Sequence, residues 1–228
     1  MIIFDVEIKK GILGRNETPI EGIEYCAGWR DFENMGVACV CTFDTLSNLS
    51  RVFTTSRLKE LEDYLATAPT GGFNTRRFDM PLLAAHGVKI AQELHYDALE
   101  QIWLKLGLDC DQFSSLHAGW GLDAVMQATF GLAKTGHGAM APVWWQQGHH
   151  SKVIDYCLND VWLEAKLCLY MRNGGLVKAA GKESLQFERP RPTIAELESI
   201  LTSESDAPIT INPNGSCSAP IRQGDGNG

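Results

Sequence analysis

The alternation of hydrophobic and polar residues predicts a sheet in the first half of the chain. Apolar runs separated by short polar turns predict three strands at 1–8, 23–29 and 36–42. Their close spacing predicts an antiparallel meander. Leucines then recur at helical spacing between charged residues in 56–68, which predicts an amphipathic helix. A short fourth strand at 70–73 follows that helix.

The second half of the chain reads as helical. The pattern predicts helices at 78–86, 96–106, 119–130 and 151–172, with an irregular stretch at 107–117. In the last helix an apolar stripe recurs at Val153, Cys157, Val161 and Ala165. The glycine-rich stretch 133–142 before it is expected to be a loop, either a lid over a site or a linker.

Composition changes at about Arg189. Residues 189–228 are rich in Pro, Ser, Asn and Gly, with one short helix predicted at 193–201. The organisation expected is therefore one domain, 1–188, and a flexible acidic tail, 189–228, that could recruit a protein partner. Nothing in the chain predicts a membrane span or a signal peptide, so a cytoplasmic protein is expected.

Charge and cysteine content exclude some classes of protein. The tail carries three basic and five acidic residues, so −6 of the formal −8 falls on residues 1–188. That charge argues against binding nucleic acid through bulk electrostatics, but it suits a cluster of acids that holds cations. The seven cysteines form no C-x-x-C pair and stand mostly in apolar runs. Small buried hydrophobic side chains are expected there, not disulfides or zinc ligands.

Three separated segments place acidic residues beside buried hydrophobics. Asp5 and Glu7 are two apart in the first strand and point from the same face. Asn74 and Asp79 lie at the connection between the predicted strand 70–73 and the predicted helix 78–86. Taken singly, each segment has an ordinary explanation: solvated acids at a strand end for the first pair, capping for the second.

The last helix carries the third segment, Tyr156 and Asp160, four residues apart. The two side chains therefore look out over the same spot, and a local hydrogen bond between them would explain the pair taken alone. A shared site for divalent cations explains all three segments at once, since Mg²⁺ and Mn²⁺ take oxygen ligands. Two such ions roughly 3.5 to 4 Å apart can activate a water and stabilise the leaving oxygen of a phosphodiester.

The ordered motifs F-D-V-E, F-N-x3-F-D-M-P and Y-C-L-N-D resemble those of DEDD 3′–5′ exonucleases on the ribonuclease H-like fold. Tyrosine four residues before the last aspartate matches the DEDDy branch. Where the DEDDh branch has histidine, this chain has Asp155. The residues of the three motifs are most similar to those of the proofreading exonuclease domain of family B DNA polymerases, and the resemblance covers about residues 1–174. It implies an α/β fold with a mixed five-stranded sheet, an antiparallel meander plus parallel strands, flanked by helices.

The resemblance also implies roles for particular residues. Asp5 would bridge two Mg²⁺ or Mn²⁺ ions, Glu7 and Asp160 would hold the first, and Asp79 would hold the second, partly through water. Tyr156 would orient the attacking water or help to deprotonate it. Asn74, Phe78 and the backbone at Ile8 would contact the terminal nucleotide. Arg76 and Arg77 could grip phosphate or form a solvated basic turn.

The activity expected is therefore a stand-alone 3′–5′ exonuclease that releases nucleoside 5′-monophosphates from the 3′ end of single-stranded DNA. Two alternatives stay open on the sequence. The same site could serve a 3′–5′ exoribonuclease, because the motifs do not show what approaches the terminal 2′ position. A non-catalytic nucleic-acid-binding module could also keep this fold.

Overall fold

The computed structural model describes residues 1–14 and 16–191, together with the backbone of two short strands in the tail. It has an α/β architecture in which helices cover both faces of a five-stranded mixed sheet. The strands are β1 Ile2–Ile8, β2 Gly11–Ile12, β3 Tyr25–Cys26, β4 Val37–Asp44, β5 Leu49–Thr54, β6 Thr70–Gly72, β7 His95–Asp97, β8 Leu176–Val177, β9 Leu185–Gln186, β10 Thr210–Ile211 and β11 Cys217–Ser218. The helices are α1 Phe32–Met35, α2 Leu58–Leu65, α3 Asp79–Ala85, α4 Ala98–Lys105, α5 Leu122–Phe130, α6 Ala141–Gln146 and α7 His150–Arg172.

Strand β1 occupies the middle of the central sheet, whose order is β5-β4-β1-β6-β7. The pairs β5/β4 and β4/β1 are antiparallel, and the pairs β1/β6 and β6/β7 are parallel. The predicted combination of an antiparallel meander with parallel strands is therefore present.

Alternate residues of β1 pack into two different cores. Ile2, Phe4 and Val6 belong to the cluster that includes the buried leucines of α2 and α3, whereas Ile3 belongs to the cluster built around α7. Because side chains alternate across a strand, Asp5 shares the face of Ile3. Glu7 lies on that face as well, so both carboxylates point towards the long helix.

The third strand of the meander was predicted wrongly. Residues 23–29 form only the short β3, which pairs with β2 outside the central sheet. The third strand is β5, joined to β4 by a turn in which Asn48 has φ +59° and Asp44 accepts hydrogen bonds from Leu46 N and Ser47 Oγ. The segment around β3 is mostly exposed and offers no buried apolar face to a sheet.

The fifth strand was assigned to a helix. The prediction began a helix at Tyr96, but His95–Asp97 pairs with β6 and α4 begins only at Ala98. Asp97 caps α4 by accepting hydrogen bonds from Leu99 N and Glu100 N. A strand of three residues is too short for its periodicity to be recognised, and only its neighbour β6 defines it.

The remaining predicted elements form with ends shifted by one to three residues. Helices α2, α3, α5 and α7 and strand β6 lie where the pattern put them, and the apolar stripe of α7 is buried. Part of the expected loop 133–142 instead begins helix α6. The helix predicted at 193–201 and most of the expected tail lie outside the described residues. Among the described residues, no helix is long and apolar enough to cross a membrane.

Candidate active site

The five predicted catalytic residues line one cavity of about 600 Å³ beside β1. Strand β1 contributes two carboxylates, α3 contributes one, and α7 contributes the tyrosine and a fourth carboxylate. Three of the expected substrate contacts line the same cavity. The predicted residues that line this cavity are Asp5, Glu7, Ile8, Asn74, Phe78, Asp79, Tyr156 and Asp160.

Asp79 does more than begin a helix. It is 4% exposed, and its Oδ1 accepts a hydrogen bond from Val6 N at 3.0 Å. This bond ties the first turn of α3 to the strand that carries Asp5 and Glu7. The capping explanation left open by the sequence therefore gives way to a contact between two separate elements of the site.

A buried aspartate that the sequence analysis did not single out shapes the turn between β6 and α3. Asn74 stands there at φ +62°, in the left-handed region that non-glycine residues rarely adopt. Asp97 accepts hydrogen bonds from Asn74 N at 2.9 Å and Arg76 N at 3.0 Å. Its place just before the apolar run of α4 is a capping signal, but its second task becomes visible only when β7 lies beside β6.

Lys134 brings a positive charge to the acidic cavity. Its Nζ lies 2.6 Å from Asp160 Oδ2 and 5.4 Å from the centre of the Tyr156 ring. The backbone N–H of Lys134 donates to Asp123 Oδ1, which fastens this end of the loop to α5. Gly138 follows with its Cα facing the Tyr156 hydroxyl. The loop expected to be a lid or a linker therefore contacts the site.

Burial raises the pKa of every carboxyl in the cavity. For Asp5 it acts together with the charge of Asp160 and raises the pKa to about 7. Burial and the charge of Asp5 raise the pKa of Glu7 and of Asp79 well above their usual values. At Asp160 burial also prevails, although Lys134 opposes it. So many buried acids cannot all be ionised without cations.

Several oxygen atoms in the cavity have no partner. Among the described residues, Asp5 Oδ2, Tyr156 Oη and Asp160 Oδ1 are buried without a hydrogen bond. Buried polar atoms are normally satisfied, so this concentration is typical of a site that binds a ligand. Carboxylate oxygens from several elements are the donors that Mg²⁺ and Mn²⁺ prefer. The residues present therefore fit hard divalent cations.

A further carboxylate, Glu164, lies in the same cavity and was missed by the sequence analysis. It stands one helical turn beyond Asp160, is 3% exposed, and its Oε2 is buried without a partner among the described residues. Burial, followed by the charges of Asp5 and Asp79, raises its pKa well above the usual value. The available signal was the i, i+4 spacing after Asp160, on the helix face that already carried Tyr156.

The structure does not bring the two arginines of the second motif into this cavity. Both line a neighbouring cavity of about 370 Å³. The Arg76 guanidinium donates to the backbone oxygens of Gln92 and His95, and its Nε lies 3.0 Å from Glu100 Oε2. Arg77 donates to Cys110 O and stacks over Phe113 at 4.4 Å. Their contact with phosphate stays a prediction.

Aromatic side chains stand at the mouth of the carboxylate cavity. Trp29 is 68% exposed and packs edge-on against Phe78, with ring centres 6.0 Å apart. Phe113 is 64% exposed and contacts Trp103 and His117. Trp29 and Phe113 both line the cavity. The wrongly predicted segment around β3 thus carries Trp29 to the entrance.

Three thiols lie directly behind the acids. Cys39 and Cys41 pair with Glu7 and Asp5 in the sheet, and their Sγ atoms lie within 4.8 Å of each other and of Cys157 Sγ. All three residues are fully buried, and Cys157 donates to the backbone oxygen of Asp5. Their burial confirms the expectation of small buried side chains, and three sulfur atoms this close together could also hold a metal ion. Three thiolates would add negative charge where the carboxyls already concentrate it.

A scan against protein-family models found no match, and a search of curated proteins found none either. The likeness to exonucleases therefore rests on the three motifs and on the geometry of the cavity.

Proposed function

We propose that this protein is a metal-dependent 3′–5′ exonuclease of the DEDDy type on a ribonuclease H-like fold. It hydrolyses phosphodiester bonds from the 3′ end of single-stranded DNA and releases nucleoside 5′-monophosphates. The observation that carries the proposal is the convergence of the motif carboxylates and Tyr156, from β1, α3 and α7, in one cavity with unpartnered buried oxygens.

Asp5, Glu7, Asp79 and Asp160 would hold two Mg²⁺ or Mn²⁺ ions. When bound, the ions would make water a stronger nucleophile and stabilise the charge that develops on the leaving 3′ oxygen. Without cations, Lys134 offsets part of the negative charge through its contact with Asp160. Burial disfavours the ionised form of these carboxyls, and positive charge beside them favours it.

The Tyr156 hydroxyl can take part in the reaction without contacting a metal ion. Burial raises the pKa of its phenol, so the hydroxyl keeps its proton near neutral pH. A neutral phenol with no hydrogen-bond partner among the described residues can donate a hydrogen bond to a phosphate oxygen or orient a water through its own lone pairs. Of the two roles expected from the sequence, orienting the water is therefore the better supported.

The entrance favours a single strand. Trp29 and Phe113 present exposed rings at the cavity mouth, where unstacked bases could stack on them. Such stacking contributes about 1 to 3 kcal/mol per base and tolerates any sequence. The acidic surface of the domain makes aromatic contacts more important than bulk attraction to phosphate.

The deciding experiment incubates the purified chain with matched 5′-labelled single-stranded DNA and RNA in Mg²⁺, Mn²⁺ or EDTA. We expect a ladder that shortens from the 3′ end of DNA and depends on the ion. Asp5→Asn should nearly abolish it, because a carboxylate that would hold the ions loses its charge. Asp155→Asn, an exposed carboxylate on α7, is the matched control and should keep wild-type activity.

Activity above a tenth of the wild-type rate in Asp5→Asn would contradict the site. If only RNA were degraded, the substrate would be RNA and the proposed mechanism would stand. Loss of neither polymer in any metal, with binding retained, would identify a binding module instead.

A further inference from the structure

Glu164 is a buried carboxylate that the three motifs leave unused. It lines the same cavity as Asp5 and Asp160 and is 3% exposed. Its Oε2 makes no hydrogen bond within the described part of the chain. Leaving a buried carboxylate oxygen unpaired costs free energy, so this position requires an explanation.

The end of strand β6 makes room for this carboxylate. A Cβ built on Gly72 would lie 3.3 Å from Glu164 Oε2, 2.9 Å from Phe4 O and only 2.4 Å from a methyl carbon of Thr75. One turn further along α7, Cys168 Sγ lies 3.7 Å from Gly72 O. The helix therefore rests closely on β6, and Glu164 points to the edge where β6 adjoins β1, the strand that carries Asp5.

The net charge of the proposed metal centre reaches zero only when Glu164 is counted among its carboxylates. The four motif carboxylates and Lys134 together carry −3, so two divalent cations would leave a buried excess of +1 before any substrate enters. With an ionised Glu164 the total of the free enzyme is zero. Buried charge is tolerated when it is compensated, which favours a fifth anionic ligand.

We propose that Glu164 is a fifth carboxylate of the metal centre and would hold one of its ions, directly or through a water on that ion. This inference rests on the proposed function, because it requires a two-ion site. The competing explanation is a protonated glutamic acid that only fills the space above Gly72. The two explanations differ in what happens to metal binding when the charge is removed.

The test measures Mn²⁺ binding to the full chain by calorimetry, comparing wild type, Glu164→Gln and the exposed control Asp155→Asn. We expect two bound ions in wild type and in the control. In Glu164→Gln one ion should bind as before, while the other should weaken by about 10 to 100-fold, as expected when a group supporting a metal site is lost. The metal-free variant should melt at or above the wild-type temperature, because a buried acid has been removed.

Unchanged binding of both ions in Glu164→Gln would overturn the inference and leave the proposed function standing. A lowered melting temperature of the metal-free variant with unchanged ion binding would assign Glu164 to packing. If wild type itself bound no divalent ion, both proposals would fail together. Should Glu164→Gln not fold, as judged by circular dichroism, Glu164→Asp keeps the charge on a shorter side chain. It should weaken the same ion, and unchanged binding there would also overturn the inference.

Discussion

At the scale of single residues, Tyr156 shows how position determines chemistry. Its hydroxyl is buried without a partner in the described residues, and its ring packs edge-on against Trp144, with Lys134 Nζ 5.4 Å from the ring centre. Tyr156→Phe keeps this packing and removes one oxygen. We expect kcat to fall roughly 10 to 1000-fold, because a hydroxyl that positions the attacking water is lost, while the Mn²⁺ affinity stays unchanged.

The control for this change is Tyr64→Phe. The Tyr64 ring stacks on Phe53 on the opposite face of the sheet, so activity should not change. Equal rates for wild type and Tyr156→Phe would limit Tyr156 to packing. Reduced Mn²⁺ affinity in Tyr156→Phe would instead indicate that the loss of the hydroxyl had disturbed the neighbouring Asp160.

At the scale of elements, Asp97 connects the end of β7 to the turn that carries Asn74. It accepts hydrogen bonds from two backbone N–H groups of that turn and from the first turn of α4. Asp97→Ala leaves those partly or fully buried donors unpaired, so we expect the free energy of unfolding to fall by roughly 3 to 4 kcal/mol. Denaturant titration measures this difference.

Asp97→Asn keeps one acceptor oxygen and should fall between wild type and Asp97→Ala. Because Asp97 holds the backbone of Asn74, exonuclease activity should fall in Asp97→Ala even at temperatures where the variant is folded. If the free energy of unfolding of Asp97→Ala lay within about 1 kcal/mol of wild type, water or a neighbouring group would be replacing the hydrogen bonds of Asp97.

At the scale of the whole molecule, the proposed metal centre would join elements from distant parts of the sequence, so ion binding should stabilise the fold. An ion at 100 times its dissociation constant adds about 2.7 kcal/mol for each site. For a domain of this size, each kcal/mol raises the melting temperature by about 2 to 4 °C. With both sites filled at that excess, we therefore expect Mn²⁺ to raise the melting temperature of wild type by about 10 to 20 °C and EDTA to reverse the rise.

Asp5→Asn is the control for this stabilisation. It should respond little to Mn²⁺, and without metal it should be at least as stable as wild type, because burial no longer opposes an ionised carboxylate. A Mn²⁺ response as large as that of wild type would place the ion elsewhere on the chain.

Local patterns alone were enough for much of this protein. The period of apolar residues located β1, β4, α2 and α7, and the spacing of Asp5 with Glu7 and of Tyr156 with Asp160 placed each pair on one face. These features were predictable because strand and helix periods are local properties of the backbone. The order of the three motifs pointed to one shared site, and each predicted catalytic residue lies in one cavity.

Only the tertiary structure decided which strands join the sheet and which other side chains reach the cavity. Short strands such as β5 and β7 are defined by pairing with β4 and β6, because a few residues carry too little periodicity of their own. Three side chains that match no motif line the cavity from separate segments: Glu164, Lys134 and Trp29. Arg76 instead contacts Gln92 and Glu100 and does not line this cavity. The sequence determined the acidic residues of the candidate site through local spacing, while long-range packing determined which side chains surround them and offset their charge.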